Sequence, residues 1–119
     1  MVMARIGTEL EDRCLRFARN VHTFVRRVPR DIVVTEIAKQ IARSSASIGA
    51  NYIEANESFS GKDFIFRIRI AKKEARETRY WLQLIETPAA FIPEKDRLLD
   101  ECVQLTKILG AILRSAMNR

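Results

Sequence analysis

The sequence predicts an all-α protein, an antiparallel up-and-down four-helix bundle. Three observations lead there. Only 4 Gly and 3 Pro occur in 119 residues, too few for the turns a sheet protein needs. Apolar residues recur in alternating steps of four and three through four separate segments. The segments are separated by Pro29, by a break of about five residues ending at the expected Ser60 cap, and by a loop with Pro88 and Pro93 as punctuation. At this length the chain is expected to form one domain, residues 1–119, with a modest core.

The first helix is predicted from about Thr8 to Val28, with a seam through Leu10, Cys14, Phe17, Val21, Phe24 and Val28. Pro29 ends it, because the residue before a proline avoids the helical region. The opposite face carries Arg16, Arg19, Thr23, Arg26 and Arg30. That basic stripe is either a strip for phosphates or an ordinary solvated face. Aromatic residues, which would favour single-stranded nucleic acid, are not interleaved with it. His22, the sole histidine, has no cluster of metal-ligand residue types around it.

The second helix begins within Asp31–Thr35. Ile32, Val33 and Val34 are β-branched in a row, which predicts an extended entry segment. Its seam runs through Ile37, Ile41, Ser44 or Ser45, Ile48, Tyr52 and Ala55. The third helix has the cleanest rhythm: Phe64, Ile68, Ala71, Ala75, Thr78, Leu82 and Ile85. Ser60 is its expected N-cap, with Asp63 three residues on, close to a capping box. About five residues join the two helices, so they fold back on one another.

Reflecting these helices about their connection sets Glu54 level with Arg67, Asn51 with Ile70, Ser47 with Glu74, and Ser44 with Glu77. Ser44, Ser47, Asn51 and Glu54 share one stripe, and Arg67, Glu74 and Glu77 share a flank of the third helix. The arrangement is either a semi-buried polar ladder that fixes register or a solvated face with small residues for close packing. In the ladder reading, Glu54 and Arg67 approach within salt-bridge or one-water distance.

The third helix also carries a second basic stripe, Arg69, Lys72, Arg76 and Arg79. On its opposite flank lie Phe66, Ile70, Trp81 and Leu84. One monomer needs a single apolar face per helix, so this flank is a candidate subunit interface; the alternative is a wide core face. The last helix begins near Pro93, a residue suited to a first turn, and Phe91 before it is placed to plug the bundle end. This helix has two seams. Leu98, Cys102, Leu105, Leu109, Ile112 and Ala116 form one; Leu99, Val103, Thr106, Gly110, Leu113 and Met117 form the other. Leu99, Val103 and Leu113 therefore join the interface candidates. Gly110 costs about 1 kcal/mol relative to Ala inside a helix, which close packing would offset.

Charge is uneven. Residues 1–30 carry 7 basic and 3 acidic side chains, and residues 58–87 carry 7 and 4. The excess behind the net +6 sits on the first and third helices, which invites RNA or DNA. No apolar run approaches the about 18 residues of a membrane span. Glu9, Glu11 and Asp12 stand where a signal peptide is apolar. A cytoplasmic protein with no membrane role is expected, and its two seam cysteines read as packed thiols. No phosphate-binding Gly-rich loop occurs, and no nucleophile, base and orienter come together. Neither catalysis nor a cofactor or metal is expected.

The motifs SxSIGANYIEA, SxKDF and IAKKEARETRYWL, spanning Gln40 to Leu84, resemble the family encoded by intervening sequences of bacterial 23S ribosomal RNA genes. The matching positions are Ser47, Ile48, Asn51, Glu54, Ala55, Phe64, Ala71, Lys73, Glu74, Ala75, Glu77, Thr78, Trp81 and Leu82. Arg67 departs from the lysine usual there, and Asn56 from a longer amide. The resemblance implies an up-and-down four-helix bundle assembled as a ring-like homopentamer without enzymatic activity. One relative, the accessory protein of diversity-generating retroelements, binds a reverse transcriptase and nucleic acid. Two roles from different classes follow: an accessory protein that contacts nucleic-acid phosphates, and a protein-interaction scaffold whose charges confer solubility.

Overall fold

The computed structural model describes the backbone from Val2 to Arg119 and side chains from Glu9 onward. Four helices, and no strand among the described residues, make up the fold: α1 (Val2–Arg27), α2 (Ile32–Asn56), α3 (Gly61–Leu84) and α4 (Ile92–Met117). The helix α1 starts earlier than predicted, because only Gly7 opposes helix in the added turns, and one interior glycine costs about 1 kcal/mol. It ends at Arg27, two residues before Pro29, and the buried Val28 still donates its N–H to the Phe24 carbonyl at 3.3 Å.

The expected extended entry to α2 is not there. Ile32, Val33 and Val34 form its first turn. Asp31 is the N-cap, and its Oδ1 accepts from the Val34 N–H at 2.7 Å. Such a cap contributes about 1 kcal/mol, more than a β-branched residue forfeits in helix propensity. Glu57–Ser60 then turns the chain. Ser60 caps α3 as predicted, accepting from the Asp63 N–H at 3.2 Å. At the far end of α3 the Ile85 carbonyl accepts from Lys95 Nζ at 2.7 Å, a cation of α4 at a helix C-terminus. A single 3₁₀ turn, Ala89–Phe91, leads into α4, and Pro93 lies in its first turn.

The predicted seams meet in one core. Cys14, Phe17, Val21 and Phe24 of α1, with Val28 just beyond it, are buried with Ile37, Ile41, Ile48 and Tyr52 of α2. Ile68, Ala71, Ala75 and Leu82 of α3, with Leu98, Cys102, Leu105 and Leu109 of α4, complete it. Phe91 closes one end, its ring 6.0 Å edge-on from Phe24 and under the Arg27 guanidinium at 5.1 Å. Close approach of α1 and α2 depends on Gly49, where a Cβ would meet Cys14 Cβ at 3.1 Å. Contact is unequal around the bundle: α2 and α3 pack most extensively, α1 and α4 least. Between α1 and α4, Arg13 makes a bidentate pair with Glu101, both bonds 2.8 Å, and Arg27 pairs with Glu94. The Glu101 hydrogen bonds raise the Arg13 pKa above its ordinary value.

Candidate nucleic-acid interface

The α2–α3 contact is polar at its centre. Thr78 Oγ1 donates to Ser44 Oγ at 2.8 Å, with both side chains fully buried. Arg43 reaches across to Glu74 at 3.1 Å and to Glu77 at 3.3 Å. Arg67 donates to Asn51 Oδ1 at 3.3 Å, and its guanidinium lies 5.8 Å from the Phe66 ring centre. Asn51 in turn donates to the Ser47 carbonyl, and Ser47 to the Arg43 carbonyl, both at 2.9 Å.

Among the described residues Glu54 and Arg67 form no direct salt bridge; the Arg67 guanidinium donates to Asn51 instead. Glu54 is exposed, and Arg67 turns one helical step back to Asn51. Neutral Asn51 is half-buried on the inner edge of the stripe, within reach of a half-buried guanidinium; an exposed carboxylate is better served by water. Arg43 is the residue that sequence reasoning missed. Its signal was available, since it stands four residues before Ser47 and so continues the same stripe.

The basic stripe of α3 borders a surface cleft of about 1140 Å³ between α3 and α4. Arg69, Lys72, Arg76 and Arg79 all line it, joined by Lys73 and by Lys107 of α4. Val103 and Leu113, expected at a subunit interface, form part of its apolar wall. The Lys72 stem runs past Gly110, where an added Cβ would lie 3.9 Å from its Cε. Arg69 donates to the thioether of Met117 at 3.4 Å. Lys72 thus lays its aliphatic stem beside the second seam of α4, and Arg69, Arg76 and Arg79 are exposed. Tyr80 and Trp81 line the same cleft. The lining takes in both flanks of α3, so the cleft is a broad hollow over the helix and not a sealed cavity.

On α1, Arg16, Arg19 and Arg26 are exposed on one face. Arg30 does not share it, because α1 ends at Arg27 and Arg30 sits in the loop, donating to the Val28 carbonyl at 3.5 Å. The cleft beside this stripe, about 480 Å³ between α1 and α4, mixes Arg13, Arg16 and Arg97 with Glu94 and Glu101. Its charges largely cancel, whereas the α3 cleft holds six cations and one carboxylate, Glu77, which Arg43 already engages.

The chain has relatives among known proteins. The model of the 23S rRNA-intervening sequence protein family matches residues 9–111. The chain belongs to that family. A crystal structure of a protein of unknown function from the S23 ribosomal protein family of Bacteroides thetaiotaomicron VPI-5482 is similar over 91% of this chain and 97% of its own, at 31% identity and a TM-score of 0.73. No curated protein matches the chain.

In this member of the 23S rRNA-intervening sequence family, the other sequence-predicted residues fall into place as follows. Phe66 is 57% exposed and Leu84 46%, while Ile70 and Trp81 are half-buried. Leu99 is half-buried, with Val103 and Leu113, along α4. The Trp81 indole Nε1 is buried without a hydrogen-bond partner. Both cysteines are buried free thiols. Burial pushes Cys14 up to about 11 and Cys102 up to about 12, so both stay protonated and poorly nucleophilic near neutrality. The His22 ring Nε2 lies 3.0 Å from the Ala42 carbonyl, bridging α1 and α2. Among the described residues no group of three or more His, Cys, Asp or Glu could hold a metal ion, and no helix is long and apolar enough to cross a membrane.

Proposed function

We propose that this protein is a non-catalytic, homo-oligomeric accessory protein that contacts RNA or DNA phosphates through the basic face of α3. One observation carries the reading: six cations converge on the α3–α4 cleft, and among the described residues none of them takes part in an ion pair. Paired cations would have to break a bond to meet a phosphate; these do not. The helices run alternately up and down, a reading supported by the cross-helix contacts: Ser44 meets Thr78, while Asn51, further along α2, meets Arg67, earlier on α3. The assembly is ring-like, a homopentamer on the family resemblance. Its support here is the exposed apolar flank of Phe66 and Leu84. A ring repeats each cleft around one surface, and weak phosphate contacts then add by multivalency.

Affinity for RNA and DNA, measured at several salt concentrations, tests the proposal. Four phosphate contacts per protomer give a log–log salt slope near −3. Replacing Arg69, Lys72, Arg76 and Arg79 by Gln should abolish most binding and leave the fold intact, because none of the four is buried and none forms an ion pair among the described residues. Replacing Arg16, Arg19 and Arg26 should matter less, given the balanced charge beside them. Undetectable binding at low salt by correctly assembled protein would remove the proposal.

The second reading is a protein-interaction scaffold with no nucleic-acid role. The same exposed flank of Phe66 and Leu84 favours it, since such a surface suits a protein partner as well as a second copy. Light scattering decides the self-association shared by both readings: a stable monomer at micromolar concentration sinks it.

A further inference from the structure

We infer that the α3–α4 cleft is a site for single-stranded nucleic acid, with Tyr80 as the platform on which a base stacks. This rests on the phosphate-binding reading above and adds to it the form of the ligand. Phosphate contacts alone do not discriminate between strands and duplexes. An open aromatic face does, because only unpaired bases can lie on it.

Tyr80 is the aromatic that meets this need. It lines the cleft among Lys73, Arg76 and Arg79, and its side chain is 57% exposed. It is also anchored. Its ring packs edge-to-face on Trp81, centroids 5.2 Å apart at 74°, and Trp81 packs in turn against the core. The ring is therefore steadied by Trp81 while more than half of the residue stays exposed, so little side-chain freedom is lost when a base arrives. The cations extend along the helix from it. Arg69 to Arg79 covers about 15 Å of axis at the α-helical rise, enough for a backbone to track past several bases. The charge is complementary: the cleft's one carboxylate, Glu77, is engaged by Arg43. The α1 stripe has cations without an aromatic among Arg16, Arg19 and Arg26, so it lacks the second half of the site.

The test uses the assembled full-length protein and unstructured oligonucleotides, a deoxythymidine and a deoxyadenosine run, beside a duplex of the same length. Kd is measured at fixed low salt for the parent, Tyr80→Ala and Tyr80→Phe. Trp81 is the sole tryptophan and sits against Tyr80, so its fluorescence reports a base arriving at this place. The single strands should bind more tightly than the duplex and quench Trp81. Tyr80→Ala should raise the single-strand Kd roughly 5- to 160-fold, the range for losing one aromatic stack, and leave the duplex Kd unchanged. Tyr80→Phe should keep the parent preference. Salt-dependent binding with equal Kd for both forms, and no effect of Tyr80→Ala, would overturn this inference while leaving the phosphate-binding reading intact. Binding of neither form would remove both. The Tyr80 substitutions lie on an exposed side chain, and an unchanged helical circular-dichroism signal confirms that they fold.

Discussion

Replacing Arg43 by Met should strand the Glu74 carboxylate. The Glu74 side chain is 7% exposed, while Arg43 is 49% exposed. Breaking a fully buried pair costs roughly 3–5 kcal/mol, and a surface pair is worth about 0–1 kcal/mol. The group left behind here is the buried one, but half of its partner is wet, so water can reach part of the vacated place. The expected cost is about 2–3 kcal/mol. At fixed protomer concentration this lowers Tm by roughly 8–12 °C for a chain of this size. Glu74→Gln in the same background removes the stranded charge, so the double variant should recover about 1.5–2 kcal/mol of coupling. Glu77, more exposed, should couple to Arg43 by less than about 1 kcal/mol. Thermal and urea unfolding of the four proteins in the cycle measure this. An Arg43→Met protein within about 0.5 kcal/mol of the parent, or strict additivity with Glu74→Gln, would refute the claim that α2–α3 packing depends on this pair.

Thr78→Val should cost about 1–3 kcal/mol, because it leaves the buried Ser44 hydroxyl without its cross-helix partner; adding Ser44→Ala should recover much of that, and no recovery in unfolding experiments would contradict a shared bond. Glu54→Gln with Arg67→Met should show coupling near zero in a double-mutant cycle, since Arg67 engages Asn51. Both thiols should resist iodoacetamide at pH 8 in the folded protein and react fully in urea; rapid labelling of native protein would contradict their burial. Folding also raises both thiol pKa values above the 9.0 of a free cysteine. The unfolded chain then releases those protons first, so stability is intact below about pH 9 and falls as pH rises through about 11 and 12. Melting curves across that window should be flatter for a Cys14→Ala, Cys102→Ala protein.

Helix number, seams, the Ser60 cap and the Phe91 plug were legible because each follows from a local rule: period, capping chemistry or proline placement. The side-chain partners were less so. Reflecting α2 onto α3 gives the level of each residue but not its angle around the helix. An arginine stem also spans more than one level, so Arg67 could meet Glu54 or Asn51, and burial chose Asn51. Arg43 escaped notice because it lies outside the small-residue run that drew the stripe. The entry to α2 was misread because three β-branched residues were weighed without the Asp31 cap, which offsets much of their cost and starts the helix there. The basic stripe and the second seam of α4 were read as separate surfaces, and only the packing of α3 on α4 joins them in one cleft.

The bundle's two kinds of contact give its seams different sensitivities to ionic strength. The α2–α3 contact is held by buried hydroxyls and a largely buried carboxylate, which mobile ions reach poorly. The α1–α4 seam has the least packing and two ion pairs whose side chains are roughly a quarter to a half exposed. Salt screens such pairs. The seam between the most distant parts of the sequence is therefore the one that opens first, and salt lowers the free energy of that opening while leaving the α2–α3 hairpin shut. Backbone amides of α1 and α4 should exchange faster as salt rises, and those flanking Ser44 and Thr78 should keep their protection.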